Sequence, residues 1–171
     1  IDAQCRLLWR FPPRRLEAEA IRDSILSVSG ALDLTMGGPG YEVCELNDNY
    51  VRVYNPKKEF GPAEWRRMVY QRKIRMQQDA TFGTFDCPDA GQSAPKRTRS
   101  TTALQALNLL NSQFMVQQAE LFAERLRQEA GSDSADQVRY GFKFAFGREP
   151  DSGELQASVG LIESYGLTVF C

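Results

Sequence analysis

Lys96, Arg97 and Arg99 stand directly before the hydroxyl run Ser100, Thr101 and Thr102. The apolar spacing of the residues that follow predicts a helix starting there, with Ser100, Thr101 or Thr102 as its N-cap. A helix N-terminus offers unsatisfied N–H groups and the positive end of the helix dipole, so it attracts anions, and three adjacent cations would strengthen that field. Gln105, Asn108 and Asn111 would add polar contacts along the same helix. Lys96, Arg97, Arg99, Ser100, Thr101, Thr102, Gln105 and Asn108 therefore form the candidate binding site, with an anionic ligand or a polysaccharide as its class of partner. The competing reading has solvated cations and an Asn111 that bonds the backbone of a kinked helix.

A second charged group, Arg14, Arg15, Glu17, Glu19, Arg22 and Asp23, crowds ten residues. On a helix, Arg15 and Glu19 are four apart and Glu19 and Arg22 three apart, so one acid can bridge two guanidiniums. Guanidinium forks match carboxylates and phosphates, but an internal salt-bridge ladder worth roughly 0.2–0.5 kcal/mol per pair is the simpler expectation. Arg14, Arg15 and Arg22 are expected to pair mostly with acids inside the domain.

Other chemistries have weaker support. Met36-Gly-Gly-Pro-Gly40 could bring backbone N–H groups to a ligand, but it lacks the Lys-Ser/Thr ending of a P-loop and the spacing of a dinucleotide loop. Glu17, Asp33, Asp86 and Asp89 are candidate acids for glycoside chemistry, which needs two at a defined separation. Asp86 and Asp89 flank Cys87-Pro88, where aspartate capping of a turn is the plainer role. Tyr50, Tyr54, Trp65 and Tyr70 could form a sugar-stacking platform or simply pack the core.

The chain has 171 residues and no histidine. That absence excludes Ser-His-Asp and Cys-His catalysis within the chain, together with histidine-ligated zinc and haem. No metal and no cofactor is expected here. Catalytic residues are unknown, and the balance leans against an enzyme. Cys5, Cys44, Cys87 and Cys171 are too far apart for a metal knuckle. Four cysteines allow one or two disulfides in an oxidising compartment, or buried free thiols. Net charge is −1, with a sequence pI near 5.6. Residues 1–100 hold 16 basic and 13 acidic side chains, and residues 101–171 hold 5 and 9. A low pI with one local basic patch argues against nucleic acid. No apolar run approaches the roughly 18 residues of a membrane span. Both ends read as cut, so the expectation is one domain, residues 1–171, from a longer protein.

The elements that must position these groups are mainly helical. Pro12-Pro13 is expected to open a first helix with Ala18, Ile21, Ile25 and Val28 inward and Gly30 as its stop. Met36 to Gly40 is a turn, and Tyr50 to Tyr54 alternates as a strand closed by Asn55-Pro56. The pattern then supports either a short helix from Pro62 to Tyr70, with Trp65, Met68 and Val69 inward, or a strand over Met68 to Ile74. Phe82 to Asp89 is a loop broken by Pro88, and Gln92 to Arg99 is exposed. Ala103, Leu107, Leu110 and Phe114 form one helical stripe, and Met115, Ala119, Phe122 and Leu126 another, with a kink or helix junction near Asn111-Ser112. Ser134 is the expected cap of the next helix, which buries Ala135, Val138, Phe142 and Ala145 and stops at Gly147. Asp151-Ser-Gly-Glu154 has capping-box spacing and starts a last helix with Leu155, Val159 and Ile162 inward. The predicted fold is thus mainly α, a bundle-like domain with a small β element and long loops in the middle.

Several of these stretches carry a family likeness. Residues 14–24 (RRLEAEAIRDS), 32–38 (LDLTMGG), 85–89 (FDCPD), 99–111 (RSTTALQALNLLN) and 146–150 (FGREP) stand in the order found in the planctomycete-type PSD-one domain, also called domain of unknown function fifteen-fifty-three. The chain resembles that family from about Leu7 to Cys171. The resemblance implies an exported, periplasmic or extracellular multidomain protein, with oxidised cysteines favoured and haem in a separate upstream cytochrome-like module. It also implies that the partners are other domains of the same protein. It carries over no catalytic residue. Ala103 stands where the family often has proline. The expected role is a non-catalytic interaction or scaffold module, with carbohydrate binding or Asp/Glu-based hydrolysis as the alternative.

Overall fold

In the computed structural model, residues 2–3, 5–11, 14–47, 53–75, 77–93 and 95–171 are described. The first helix, α1 (Ala18–Ser29), begins later than the sequence suggests. Pro12 and Pro13 lie outside the described residues. Arg15 donates to the Ser100 carbonyl, to Thr101 Oγ1 at 2.8 Å and to Gln105 Oε1. Residues 14–17 are non-helical, and Glu17 is extended at φ −76°, ψ 157°. Bonds to a segment 85–90 residues away compete here with local helix formation. The buried face of α1 is Ala18, Arg22, Leu26 and Ser29; Ile21, Ile25 and Val28 flank it, half-buried. Gly30, at φ +81°, closes the helix with its N–H on the Leu26 and Ser27 carbonyls, as glycine does in the left-handed region.

The middle of the chain holds a small antiparallel sheet of β1 (Cys44–Asn47) and β2 (Val53–Pro56), with Cys44 opposite Pro56 and Asn47 opposite Val53. Val53 and Tyr54 belong to the strand expected over residues 50–54; residues 50–52 lie outside the described residues. The stretch read as either helix or strand is neither. Two single 3-10 turns, Pro62–Glu64 and Met68–Tyr70, alternate with isolated bridges, Asp33 to Arg66 and Tyr41 to Gln71. The Asp33 N–H bonds the Trp65 carbonyl at 3.0 Å and the Arg72 N–H bonds the Tyr41 carbonyl at 2.8 Å, so pairing with the 31–41 loop overrides local propensity. Met68 turns inward, while Val69, expected inward, is exposed. A further turn, Gly83–Phe85, precedes an irregular segment.

Helices then dominate. α2 (Ala103–Asn111) and α3 (Gln113–Ala130) abut at Ser112, whose extended backbone breaks the helix and whose Oγ accepts from the Met115 N–H at 3.3 Å. α4 (Ser134–Phe146) is capped one residue earlier than expected, by Asp133, whose carboxylate accepts from the Asp136 N–H at 2.9 Å. Val138 and Phe142 are buried, but Ala145 is exposed. α5 (Ser152–Tyr165) opens on the expected reciprocal cap, Glu154 N–H to Asp151 Oδ1 at 2.8 Å and Asp151 N–H to Glu154 Oε2 at 2.9 Å. A short α6 (Leu167–Phe170), not foreseen in the sequence, returns Leu167 to the interior. The fold is mainly α with a small β element.

α3 connects two apolar cores. Phe114 joins Ala18, Leu26, Met68, Phe82, Phe85 and Cys87. Two to three turns on, Phe122, Ala123 and Leu126 join Val138, Phe142, Ile162 and Leu167. Between them lies a buried polar contact, Ser29 Oγ to Gln118 Oε1 at 2.6 Å. Eighteen helical residues span roughly 27 Å at 1.5 Å per residue, enough to run through both cores.

Candidate functional site

The segment read as an anion site is largely consumed by internal bonds. Arg97 donates to Glu19 Oε2 at 2.6 Å and lies 3.3 Å from Glu17 Oε2. Ser100 donates its N–H to Asp86 Oδ2 at 2.7 Å and its hydroxyl to Asp86 Oδ1 at 2.9 Å. These bonds from Ser100 hold the Asp86 carboxyl below the ordinary range. Of the three candidate caps, Thr102 is the N-cap of α2, and Gln105 reaches back to its N–H at 3.3 Å. Gln105 Nε2 also donates to the Thr84 carbonyl at 2.9 Å, and Asn108 Nδ2 to the Thr81 carbonyl at 2.7 Å and Thr84 Oγ1 at 3.0 Å. Lys96, Arg99, Thr101 and Thr102 are exposed. The structure thus brings Arg15, Asp86, Ser100 and Gln105 into one junction that fastens the start of α2.

This junction sets the orientation of α2. Its polar residues face the protein: Gln105 is buried and Asn108 half-buried. Leu104, Leu107 and Leu110 are 57%, 55% and 76% exposed. The expected inward stripe of Leu107 and Leu110 is therefore turned outward. Carbonyls of the 81–84 loop need donors, and Gln105 and Asn108 supply them, so hydrogen bonding rather than burial fixes the rotation of the helix. The leucine period was legible, but its direction needed the loop. Helix α2 carries no charged residue.

The charged group at 14–23 also departs from its expected ladder. Arg15 is not on the helix and bonds carbonyl, hydroxyl and amide oxygens. Arg22 is buried and donates to the Glu64 carbonyl and, at 2.7 Å, to the Arg66 carbonyl. Its guanidinium lies 5.0 Å from the Tyr41 ring centroid and 5.4 Å from that of Phe114. Asp23 keeps a long ion pair with Arg22, 3.9 Å from its Nη1, while accepting from the Met68 N–H at 2.7 Å and Arg67 Nε at 3.3 Å. Arg14 lies over Phe11 at 5.8 Å. Glu17 and Glu19 meet Arg97 instead. Segments distant in sequence took each partner, which a local i,i+4 count does not register.

The remaining candidates are structural. Around the 36–40 loop, carbonyls converge on Arg66, which donates to those of Thr35 (3.0 Å), Gly37 and Pro39 (2.5 Å) and stacks on Tyr70 at 4.0 Å, while the Gly37 N–H donates to the Tyr70 hydroxyl at 2.8 Å. Gly37 and Gly38, both near φ +78°, make that reversal possible. Asp89 Oδ1 accepts the Gly91 N–H at 2.9 Å as a turn cap. Asp33 Oδ1 does the same for the Thr35 N–H at 2.8 Å. The four cysteines are free thiols. Among the described residues no group of three His, Cys, Asp or Glu is placed to hold a metal ion, and no helix is long and apolar enough to cross a membrane.

A cavity of about 530 Å³ opens between α1, the β1–β2 sheet and the α2–α3 junction. Phe60, Phe82 and Phe114 form its aromatic wall, and Arg22, Gln71 and Asp79 its polar floor. Asp79 is fully engaged: Oδ1 accepts the N–H groups of Thr81 (3.0 Å) and Phe82 (2.7 Å), and Oδ2 accepts Gln71 Nε2 at 2.6 Å. This cavity is not legible in the sequence, because its walls come from six separated segments. Arg22 lay within a recognised charge cluster, but its burial was not foreseen.

Residues 1–162 match the family model PSD1, protein of unknown function (DUF1553). The chain belongs to this family. The PSD1 match starts before Leu7 and stops at Ile162, so α6 lies beyond it. No curated protein and no solved structure matches the chain.

Proposed function

We propose that this PSD1 domain is a non-catalytic interaction module that docks, through the outward face of α2, onto a neighbouring domain of an exported, cytochrome-linked multidomain protein. The observation that carries this reading is the inverted helix: Gln105 and Asn108 point in while Leu104, Leu107 and Leu110 point out. Fully burying one leucine is worth roughly 1.5–3 kcal/mol, so covering three half-exposed ones supplies a driving force. Exposed Lys96 and Arg99 lie just before the helix, which suits a partner whose apolar stripe is rimmed by acids. Export and the cytochrome link rest on the family resemblance. A carbohydrate hydrolase would need two free acids facing one cleft; Asp79, the carboxylate lining the aromatic cavity, has its oxygens occupied.

Hydrogen exchange of α2 in the domain alone and in the full-length parent tests the reading. Slower exchange of α2 amides in the parent is expected, reversed by L104D combined with L107D while the domain's own melting temperature stays unchanged. Equal exchange in both contexts would refute it.

A further inference from the structure

The cavity beside Arg22 has a chemistry of its own, separate from the face of α2. Arg22 is only 2% exposed and Gln71 8%, and both line it. Buried cations are ordinarily paired with acids. Arg22 instead spends two of its five N–H donors on backbone carbonyls. Its acid partner, Asp23, forms a long ion pair at 3.9 Å from Nη1, beyond hydrogen-bond range. Two aromatic faces supply partial compensation. Gln71 Oε1 is buried with no hydrogen-bond partner, although its Nε2 is fixed on Asp79. Arg22, Lys57 and Lys58 line the cavity together with Asp79, and the Asp23 carboxylate stands behind Arg22. Lys57 is held by Glu64 at 2.7 Å. The aromatic part of the wall has Phe82 and Phe114 packed edge to face at 5.3 Å, and Gln78, Thr81, Asn108, Ser112 and Gln113 add uncharged polar groups elsewhere. The volume falls within the roughly 300–1,000 Å³ of small-molecule sites.

We propose that this cavity binds a small aromatic carboxylate, its ring among Phe60, Phe82 and Phe114, its carboxylate toward Arg22, and a ring hydroxyl donating to Gln71 Oε1. The unspent N–H donors of Arg22 select the anion, the phenylalanines select the ring, and the lone acceptor on Gln71 selects a donor group. A carboxylate on Arg22 forms charge-assisted hydrogen bonds, which are stronger than neutral ones.

Three probes on the whole chain test this by isothermal titration and by NMR of the arginine and glutamine side chains: 4-hydroxyphenylacetate, phenylacetate and the uncharged phenylacetamide. Binding is expected in that order of strength, with the amide at least about tenfold weaker than its acid. The Arg22 Nε–H and Gln71 side-chain amide resonances are expected to shift on titration. Gln71→Leu should erase the preference for 4-hydroxyphenylacetate over phenylacetate while leaving the acid-over-amide preference. Arg22→Lys should weaken both acids. If that variant fails to fold, the wild-type arginine resonance and the acid-to-amide ratio still decide. Equal affinity for acid and amide, shifts confined to other residues, or no binding at millimolar probe would each overturn the proposal.

Discussion

Arg97 Nη1 lies 2.6 Å from Glu19 Oε2, joining the basic segment before α2 to the side of α1 across 78 residues of sequence. The hydrogen bond from Arg97 holds the Glu19 carboxyl below its ordinary value of 4.5, and the reciprocal effect raises the Arg97 guanidinium. A cation that the sequence offers to a ligand thus clamps two distant elements of the fold.

Removing that clamp should have a modest, pH-dependent cost. Both side chains are about one-third exposed, so Arg97→Ala is expected to cost about 0.2–1 kcal/mol, less at high salt. Glu19 is depressed in the folded state, so its contribution is complete above the unfolded value of 4.5 and fades as pH falls through the lower folded one. Urea unfolding across the acid range should show a shallower loss of stability in Arg97→Ala than in the wild type. A parallel acid limb in the two proteins would contradict the pairing.

The two cores, one built on α1 and α3 and the other on α3 to α6, should respond to truncation separately. Leu26 in the first core and Leu126 in the second are fully buried. Each Leu→Ala change should cost about 2–5 kcal/mol in denaturant unfolding. Because the two sites sit in separate clusters, their costs should add in the double variant.

Helix periods were legible wherever apolar burial alone decides rotation. The stripe Met115, Ala119, Phe122 and Leu126, the break at Ser112, the stop at Gly147 and the Asp151–Glu154 cap all follow from local rules. The same rules misdirected Leu107 and Leu110, because the rotation of α2 answers to carbonyls of a loop some twenty residues earlier. They also placed Arg15 on a helix, where long-range acceptors hold it off. The candidate site was legible as a set of unusual residues but not as partners: Arg97 with Glu19, Ser100 with Asp86, and Arg15 with Gln105 are tertiary pairings. Arg22 shows the limit most clearly, since its position within a charge cluster gives no sign that it lines a cavity.

The thiols supply a chemical check on burial. Burial pushes the Cys171 thiol up to about 12. It also raises Cys87, which the Lys73 ammonium at 3.1 Å partly opposes. The thiolate is the nucleophile, so a raised value lowers reactivity at any given pH below it. Iodoacetamide at mildly alkaline pH should modify native Cys171 and Cys87 at least about tenfold more slowly than the urea-unfolded chain, read by peptide mass spectrometry. Equal rates in the two states would show that these thiols are accessible.

Two glycines in neighbouring helices should respond in opposite directions to the same substitution. Gly160 in α5 has open space where a Cβ would stand, so Gly160→Ala should stabilise by about 0.5–1 kcal/mol through helix propensity alone. A Cβ on Gly141 in α4 would stand 2.8 Å from Phe170 Cε1 and 3.1 Å from its Cζ. The propensity gain is the same there, but the ring of α6 must move, and overpacking of this kind costs about 1–3 kcal/mol. Gly141→Ala should therefore destabilise, and the penalty should shrink or change sign in a Phe170→Ala background, where the opposing ring is gone. The coupling energy from that cycle reports directly on whether α6 is seated against α4. If Gly141→Ala instead stabilised the protein as much as Gly160→Ala, Phe170 would not be packed there, and the last turn of the second core would have to be redrawn.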